Sequence, residues 1–186
     1  LYGGHRDTRA FIKALARFRQ EEDIEFHQYG PTHTEHLLDQ AKANNCEDAV
    51  KILPSLERRP FLNACMNSTA LLVVVGHDID GEQHSGAIPG KLYDYFLTDS
   101  PILVIGPADC VAGKIVTRYR RGFHLADDDM EGIYAALKQL KGDHGLDLSR
   151  DRIKEFSAST QVARLADLMG EVVAKGKKSR KAKKKR

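Results

Sequence analysis

The residues with the most chemical promise lie between Ser85 and Phe96, which read SGAIPGKLYDYF. Gly86, Pro89 and Gly90 run into Lys91, and a short helical pattern follows that carries Asp94. Glycines let a backbone approach a ligand closely, and a lysine answers a phosphate. The P-loop of NTPases, G-x-x-x-x-G-K followed by Ser or Thr, is the first comparison, and it fails twice. Ser85 stands at the first glycine, and Leu92 stands where the magnesium-binding hydroxyl belongs. Gly90 and Lys91 fall in the first turn of the expected helix, where free N–H groups and the helix dipole attract anions. Leu92, Tyr95 and Phe96, spaced i, i+3, i+4, are expected to face a core, with Lys91 and Asp94 on a more exposed face. Two readings of Asp94 stay open. It suits paired sugar hydroxyls, as acidic residues do with ribose in dinucleotide folds. Equally, it suits an i, i+3 ion pair with Lys91, worth about 0.3 kcal/mol.

A second glycine-rich segment, Gly3-Gly4-His5-Arg6, precedes the first helical pattern. Arg6 offers a guanidinium able to grip two phosphate oxygens. No G-x-x-G follows, so this is not the dinucleotide fingerprint; a tight turn with a surface arginine is the plain alternative. The stretch GHDIDGEQH, Gly76 to His84, gathers two histidines and three acids. Its two histidines are not at helical i, i+4 spacing and the chain has no H-E-x-x-H, so a polar, ligand-facing loop is expected and no metal. The chain contains no G-x-S-x-G, which removes support for a Ser/His/Asp hydrolase.

Hydrophobic periodicity supplies the elements that must position these residues. Helical patterns run from about Thr8 to Gln20, Thr34 to Ala43, Leu56 to Met66, Ala108 to Tyr119, Met130 to Leu140 and Thr160 to Val173. Strand patterns cover Ile24 to Tyr29, Ala49 to Leu53, Leu71 to Val75, Ile102 to Ile105 and Phe123 to Leu125. LLVVV and ILVI are continuous apolar runs, as expected of strands covered on both faces. The chain opens on Leu1-Tyr2 directly against the glycines, so a cut first strand and a fragment of a longer protein are expected. Strand–helix alternation then predicts an α/β fold: a Rossmann-like, doubly wound parallel sheet of about six strands, order 3-2-1-4-5-6, with helices on both faces. Ligands bind such sheets beyond the carboxyl ends of the strands, where both glycine-rich loops fall.

Composition fits one domain of 186 residues, 41% hydrophobic, with no apolar run long enough to span a membrane and no signal-peptide pattern. Cys46, Cys65 and Cys110 are scattered, which suits small buried side chains in a reducing compartment and predicts a cytoplasmic protein. The net charge of +3 hides an asymmetry. Nine of the last twelve residues, KGKKSRKAKKKR from Lys175, are Lys or Arg, and without them twenty basic residues face twenty-six acidic ones, a body near −6. Two parts are expected: a Rossmann-like domain over 1–174 and a disordered basic tail over 175–186. The tail could meet anionic lipid headgroups, placing the protein peripherally at the inner membrane face, or nucleic acid, or merely be solvated; the acidic body argues against a broader nucleic-acid surface.

Taken in order, these pieces resemble the C-terminal, donor-binding domain of a retaining GT-B glycosyltransferase of the family 4 type. The resemblance covers about Leu1 to Leu140 and is strongest over GAIPGKLYDYFLTDSPILVIGP, Gly86 to Pro107. It implies glycosyl transfer from an NDP-sugar to an unknown acceptor, with no metal and no cofactor beyond the donor substrate. By this resemblance Arg6, after Gly3 and Gly4, contacts the donor diphosphate, and loop amides over Ile88, Pro89, Gly90 and Lys91 contact phosphate or sugar. Asp94 holds the ribose hydroxyls, and the loop from Leu53 to Leu56, with Pro54 and Leu56, frames the nucleobase. Arg6 and Lys91 would stabilise the departing diphosphate. One position departs from the family: Gly86 stands eight residues before Asp94, where the first Glu of a Glu–seven residues–Glu motif belongs. The N-terminal acceptor domain is not part of this chain, so the isolated chain is expected to bind donor but transfer poorly. A non-catalytic nucleotide-sugar-binding domain and a GT-B epimerase or phosphorylase are the alternatives.

Overall fold

A computed structural model describes residues 7–31, 34–77 and 86–183, with side chains to residue 175. The chain divides after Leu148 into two compact units.

In the first unit, helix α1 (Arg9–Phe18) forms because Phe11, Leu15 and Phe18 repeat at helical spacing, and all three are buried together with Ala10, Ile12 and Ala14. Strand β1 (Phe26–Tyr29) follows, then α2 (Thr34–Ala43) and β2 (Val50–Leu53), which pairs with β1 in parallel from Phe26↔Val50 to Tyr29↔Leu53. After α3 (Arg58–Met66) come β3 (Leu71–Val74), α4 (Gly90–Tyr95), β4 (Ile102–Ile105), α5 (Val111–Arg118), β5 (Gly122–Leu125) and α6 (Met130–Lys141). β3, β4 and β5 are parallel, and every residue of β4 is buried, which is why ILVI shows no polar alternation.

The single six-stranded sheet expected from the sequence is not observed. The described residues form five strands in two sheets, ordered β1-β2 and β3-β4-β5. The break has a physical basis in hydrogen-bond alternation along parallel strands. The Gly30 N–H donates to the Leu53 carbonyl, so His27 and Tyr29 turn their backbone groups away from β2. The N–H groups of Leu71 and Val75 donate to the Pro101 and Ile105 carbonyls, so the backbone groups of Leu72 and Val74 turn away from β4. Between these two edges lies a cleft of about 1500 Å³ lined by Phe11, Leu15, Phe26, Tyr29, Leu72 and Val74 among others. The two sheets otherwise keep the expected order, 3-2 on one side and 4-5-6 on the other. The strand expected before Gly3, the one that would stand between them, falls outside the described residues.

One core nevertheless joins both sheets. Phe11 and Leu15 of α1 share a buried cluster with Val50 of β2, Leu103 and Ile105 of β4, and Leu137 and Leu140 of α6. A second tie is aromatic: Tyr29 of β1 stands edge-on to Phe61 of α3 at 6.1 Å, and Phe61 lies 6.4 Å from Tyr95 of α4.

The second unit holds a 3-10 segment, Arg150–Phe156, and α7 (Ala158–Lys183), longer at both ends than the expected Thr160 to Val173. Ser157 starts α7, its hydroxyl accepting from the Thr160 N–H at 3.2 Å, an N-cap that periodicity alone does not reveal.

Arg121, fully buried between α5 and β5, is the most demanding core residue. Its guanidinium donates to the Thr98 carbonyl at 2.5 Å and to the Leu148 carbonyl, locking the turn before β4 to the end of the first unit. Replacing it strands the buried Thr98 carbonyl, frees the half-buried Leu148 carbonyl and leaves a void. Arg121→Ala is therefore expected to lower unfolding stability by about 3–5 kcal/mol, measured by urea denaturation; a loss under ~1 kcal/mol would show the clamp to be unimportant.

Candidate functional site

α4 places Leu92 and Tyr95 in the core, which turns Asp94 to a half-buried position. There its Oδ1 accepts from Arg58 Nη2 at 2.9 Å. Arg58 is the first residue of α3, directly after the exposed loop that holds Pro54 and Leu56. The loop after β2 and the helix after β3 are thus brought together by one ion pair. Neither open reading of Asp94 anticipated this partner. A basic residue opening a helix just beyond a candidate nucleobase loop was the available signal.

Lys91, like Asp94, is half-buried and so more exposed than Leu92, Tyr95 and Phe96, and its Nζ donates to the Leu72 carbonyl at 3.1 Å. That carbonyl faces the cleft, on the side of β3 away from β4, and an ammonium is a strong donor for it. Around Lys91 the loop stays open. A side chain built at Gly86 or Gly90 would meet nothing within 4 Å, while Ile88 and Pro89 are half-buried. α4 is only six residues long, so its dipole is short.

A second charged group was not legible in the sequence. His77, just after β3, has Nε2 2.6 Å from Oδ2 of Asp127, just after β5. The two lie fifty residues apart, and only the parallel β3-β4-β5 arrangement makes them neighbours. Asp127 also acts on Arg9 at the start of α1. Arg9 Nε donates to both oxygens of Asp7, at 3.0 and 2.8 Å, and this bond is the main reason the Asp7 carboxyl is held below its ordinary value. Gly3, Gly4 and Arg6 precede this group and lie outside the described residues, as do residues 78–84 of the loop after β3.

At the level of fold, the chain resembles a glycosyltransferase. A solved structure, the lipopolysaccharide outer core galactosyltransferase WaaB in its apo form, matches with a TM-score of 0.65 at 14% identity. The match covers 92% of this chain and 46% of that one, so the chain spans about half the length of that protein. At that identity the likeness is one of fold, GT-B-like with parallel α/β elements. The sequence matches no protein-family model and no curated protein.

Beneath the site lies Cys65, one of three buried free cysteines. Burial first, and then the Asp94 carboxylate, push its thiol from 9.0 up to about 11, with Lys91 opposing. Burial likewise raises the Tyr95 hydroxyl, with Cys65 and Asp94 adding to it. A folded pKa above the unfolded one means that the unfolded chain gives up this proton first. The stability is complete below about pH 9 and falls as pH climbs toward 11. The urea midpoint is expected to decline through that window and to decline less steeply in Cys65→Ala. Parallel slopes for both proteins would show that Cys65 is not responsible.

Proposed function

We propose that the chain is the donor-binding part of a GT-B glycosyltransferase, holding an NDP-sugar for transfer to an acceptor. The observation that carries the reading is the Asp94–Arg58 pair at 2.9 Å, which ties a half-buried carboxylate to the first residue of α3, just after the loop of Pro54 and Leu56. A carboxylate accepts from two hydroxyls at once through its several lone pairs, which is what the 2′- and 3′-hydroxyls of a ribose require. The base then lies toward Pro54 and Leu56, and the diphosphate toward Gly86, Ile88, Pro89, Gly90 and Lys91. Transfer requires the diphosphate to leave with its developing charge stabilised. Lys91 and Arg6 serve that end. These two cations supply the charge that a metal would otherwise provide, so a metal-independent, retaining reaction without further cofactor is proposed. Gly86 favours a second reading, a nucleotide-sugar-binding domain without transfer, because no carboxylate stands at that position.

The facing edges of β1 and β3 form a slot for one more parallel strand, giving a single sheet with that strand between β1 and β3. Its N–H groups would take the Leu72 carbonyl and leave Lys91 to the donor loop. A version carrying a short Val- and Ile-rich segment ahead of Leu1 is expected to melt several degrees higher, at roughly 2–4 °C per kcal/mol gained. An unchanged midpoint would count against the slot.

Calorimetry with UDP, GDP, ADP and their sugars tests the donor site. One of these nucleotides is expected to bind, and no binding at millimolar concentration would sink the proposal. Asp94→Ala is expected to weaken the bound nucleotide roughly tenfold to a hundredfold, the loss of one or two charge-assisted bonds, while pyrophosphate binding changes little. Equal losses for both ligands would refute the ribose role.

A further inference from the structure

Helix α7 carries an apolar stripe that nothing in its own unit covers. Val162, Leu165, Met169 and Val172 are 65%, 58%, 61% and 68% exposed. Their spacing, i, i+3, i+7, i+10, puts them on one face, with Val173 alongside and Leu168 at its margin. Asp167 and Glu171 fall on the opposite side of the helix. Six large apolar side chains aligned on one helix thus form a surface that their own unit leaves uncovered.

The composition of the same helix says what covers it. α7 is continuous over 26 residues to Lys183, about 39 Å at 1.5 Å per residue. It therefore runs from the apolar stripe directly into the basic run that begins at Lys175 and contains no acidic residue. A second copy of α7 is a poor occupant. The stripe repeats over only two heptads before Gly176, short of the three or four that a coiled coil needs, and pairing two such helices in parallel would juxtapose two polycationic segments. Nucleic acid would answer the lysines but has no use for exposed Val, Leu and Met. An interface with apolar depth and negative surface charge answers both. Among the described residues no helix is long and apolar enough to cross a membrane, so the helix would lie on the bilayer.

We propose that α7 docks in the plane of an anionic lipid bilayer, with Val162, Leu165, Met169 and Val172 entering the headgroup–acyl boundary and the basic run from Lys175 gripping the anionic headgroups. Neither signal anchors strongly alone; together they make a two-signal anchor, apolar and electrostatic.

The test is sedimentation of the full chain with phosphatidylcholine vesicles prepared with and without phosphatidylserine. Binding to the anionic vesicles is expected, weakening as salt rises, with little binding to the neutral ones. The double variant Leu165→Gln, Met169→Gln keeps good helix formers at exposed positions. It is expected to lose binding at least about tenfold, as is a chain ending at Ala174. Because the protein has no tryptophan, Leu165→Trp supplies a lone reporter whose emission shifts to the blue if the stripe enters the bilayer. Absence of vesicle binding, an unshifted tryptophan, or a double Gln variant that binds like the parent would each overturn the proposal. So would binding to a single-stranded oligonucleotide in preference to vesicles, or a dimer, lost in the double Gln variant, that accounts for the stripe.

Discussion

The backbone edges of β1 and β3, turned toward each other across an apolar cleft, are the constraint on which the rest of this fold depends. Strand backbone groups must find hydrogen bonds, and those inside an apolar surround have few places to find them. One response is visible in the structure: the Leu72 carbonyl takes the Lys91 ammonium. A residue whose type and neighbours suit an anion is thereby drawn into the cleft. The side-chain packing around the cleft is more tolerant. Phe11 and Leu15 bind both sheets into one cluster, and Tyr29, Phe61 and Tyr95 bridge them again. The sheets are thus held at a fixed separation by nondirectional contacts, while the directional bonds define what the space between them would accept.

The same parallel arrangement decides how charged groups meet. In the β3-β4-β5 sheet, loops distant in sequence are delivered to one end, and His77 meets Asp127 only for that reason. Asp94 and Arg58 meet because α3 and α4 pack against each other beside the edge of β3. In each pair the two side chains orient one another before any ligand arrives. Preorganised charge of this kind loses little to reorganisation when a polar ligand binds. It also explains why a thiol and a phenol lie beneath the site with raised pKa values: Cys65 and Tyr95 are buried, and the Asp94 carboxylate adds to the cost of ionising them.

Most elements of the first unit were legible in the sequence, because each carries its own period. FIKALARF reads as a helix, ILVI as a doubly covered strand, and both form where expected. The loop-to-helix passage at Gly90 was legible from glycine and proline alone. What failed depended on distance. Whether five strands make one sheet or two depends on a neighbour that no local pattern contains. The partner of Asp94 lies thirty-six residues away, and the spacing argument that suggested Lys91 considered only its own helix. The N-cap at Ser157 was missed for a different reason: a lone serine between two helical segments is a weak signal until the chain direction on both sides is known. The burial of Arg121 was invisible because RYRRGF offers three arginines and periodicity does not say which one is enclosed.

The charge asymmetry of the chain separates two kinds of anion recognition. Outside its last twelve residues the protein is near −6, so its overall field repels a nucleoside diphosphate. A donor site in such a body has to work at short range, through bonds made within a few ångströms where intervening solvent is limited and screening by salt is weak. Half-buried Lys91 and Asp94 meet that requirement; an exposed lysine would not. The basic run obeys the opposite logic. Its cations are concentrated, lie next to an apolar stripe, and act over the Debye length on an extended charged surface.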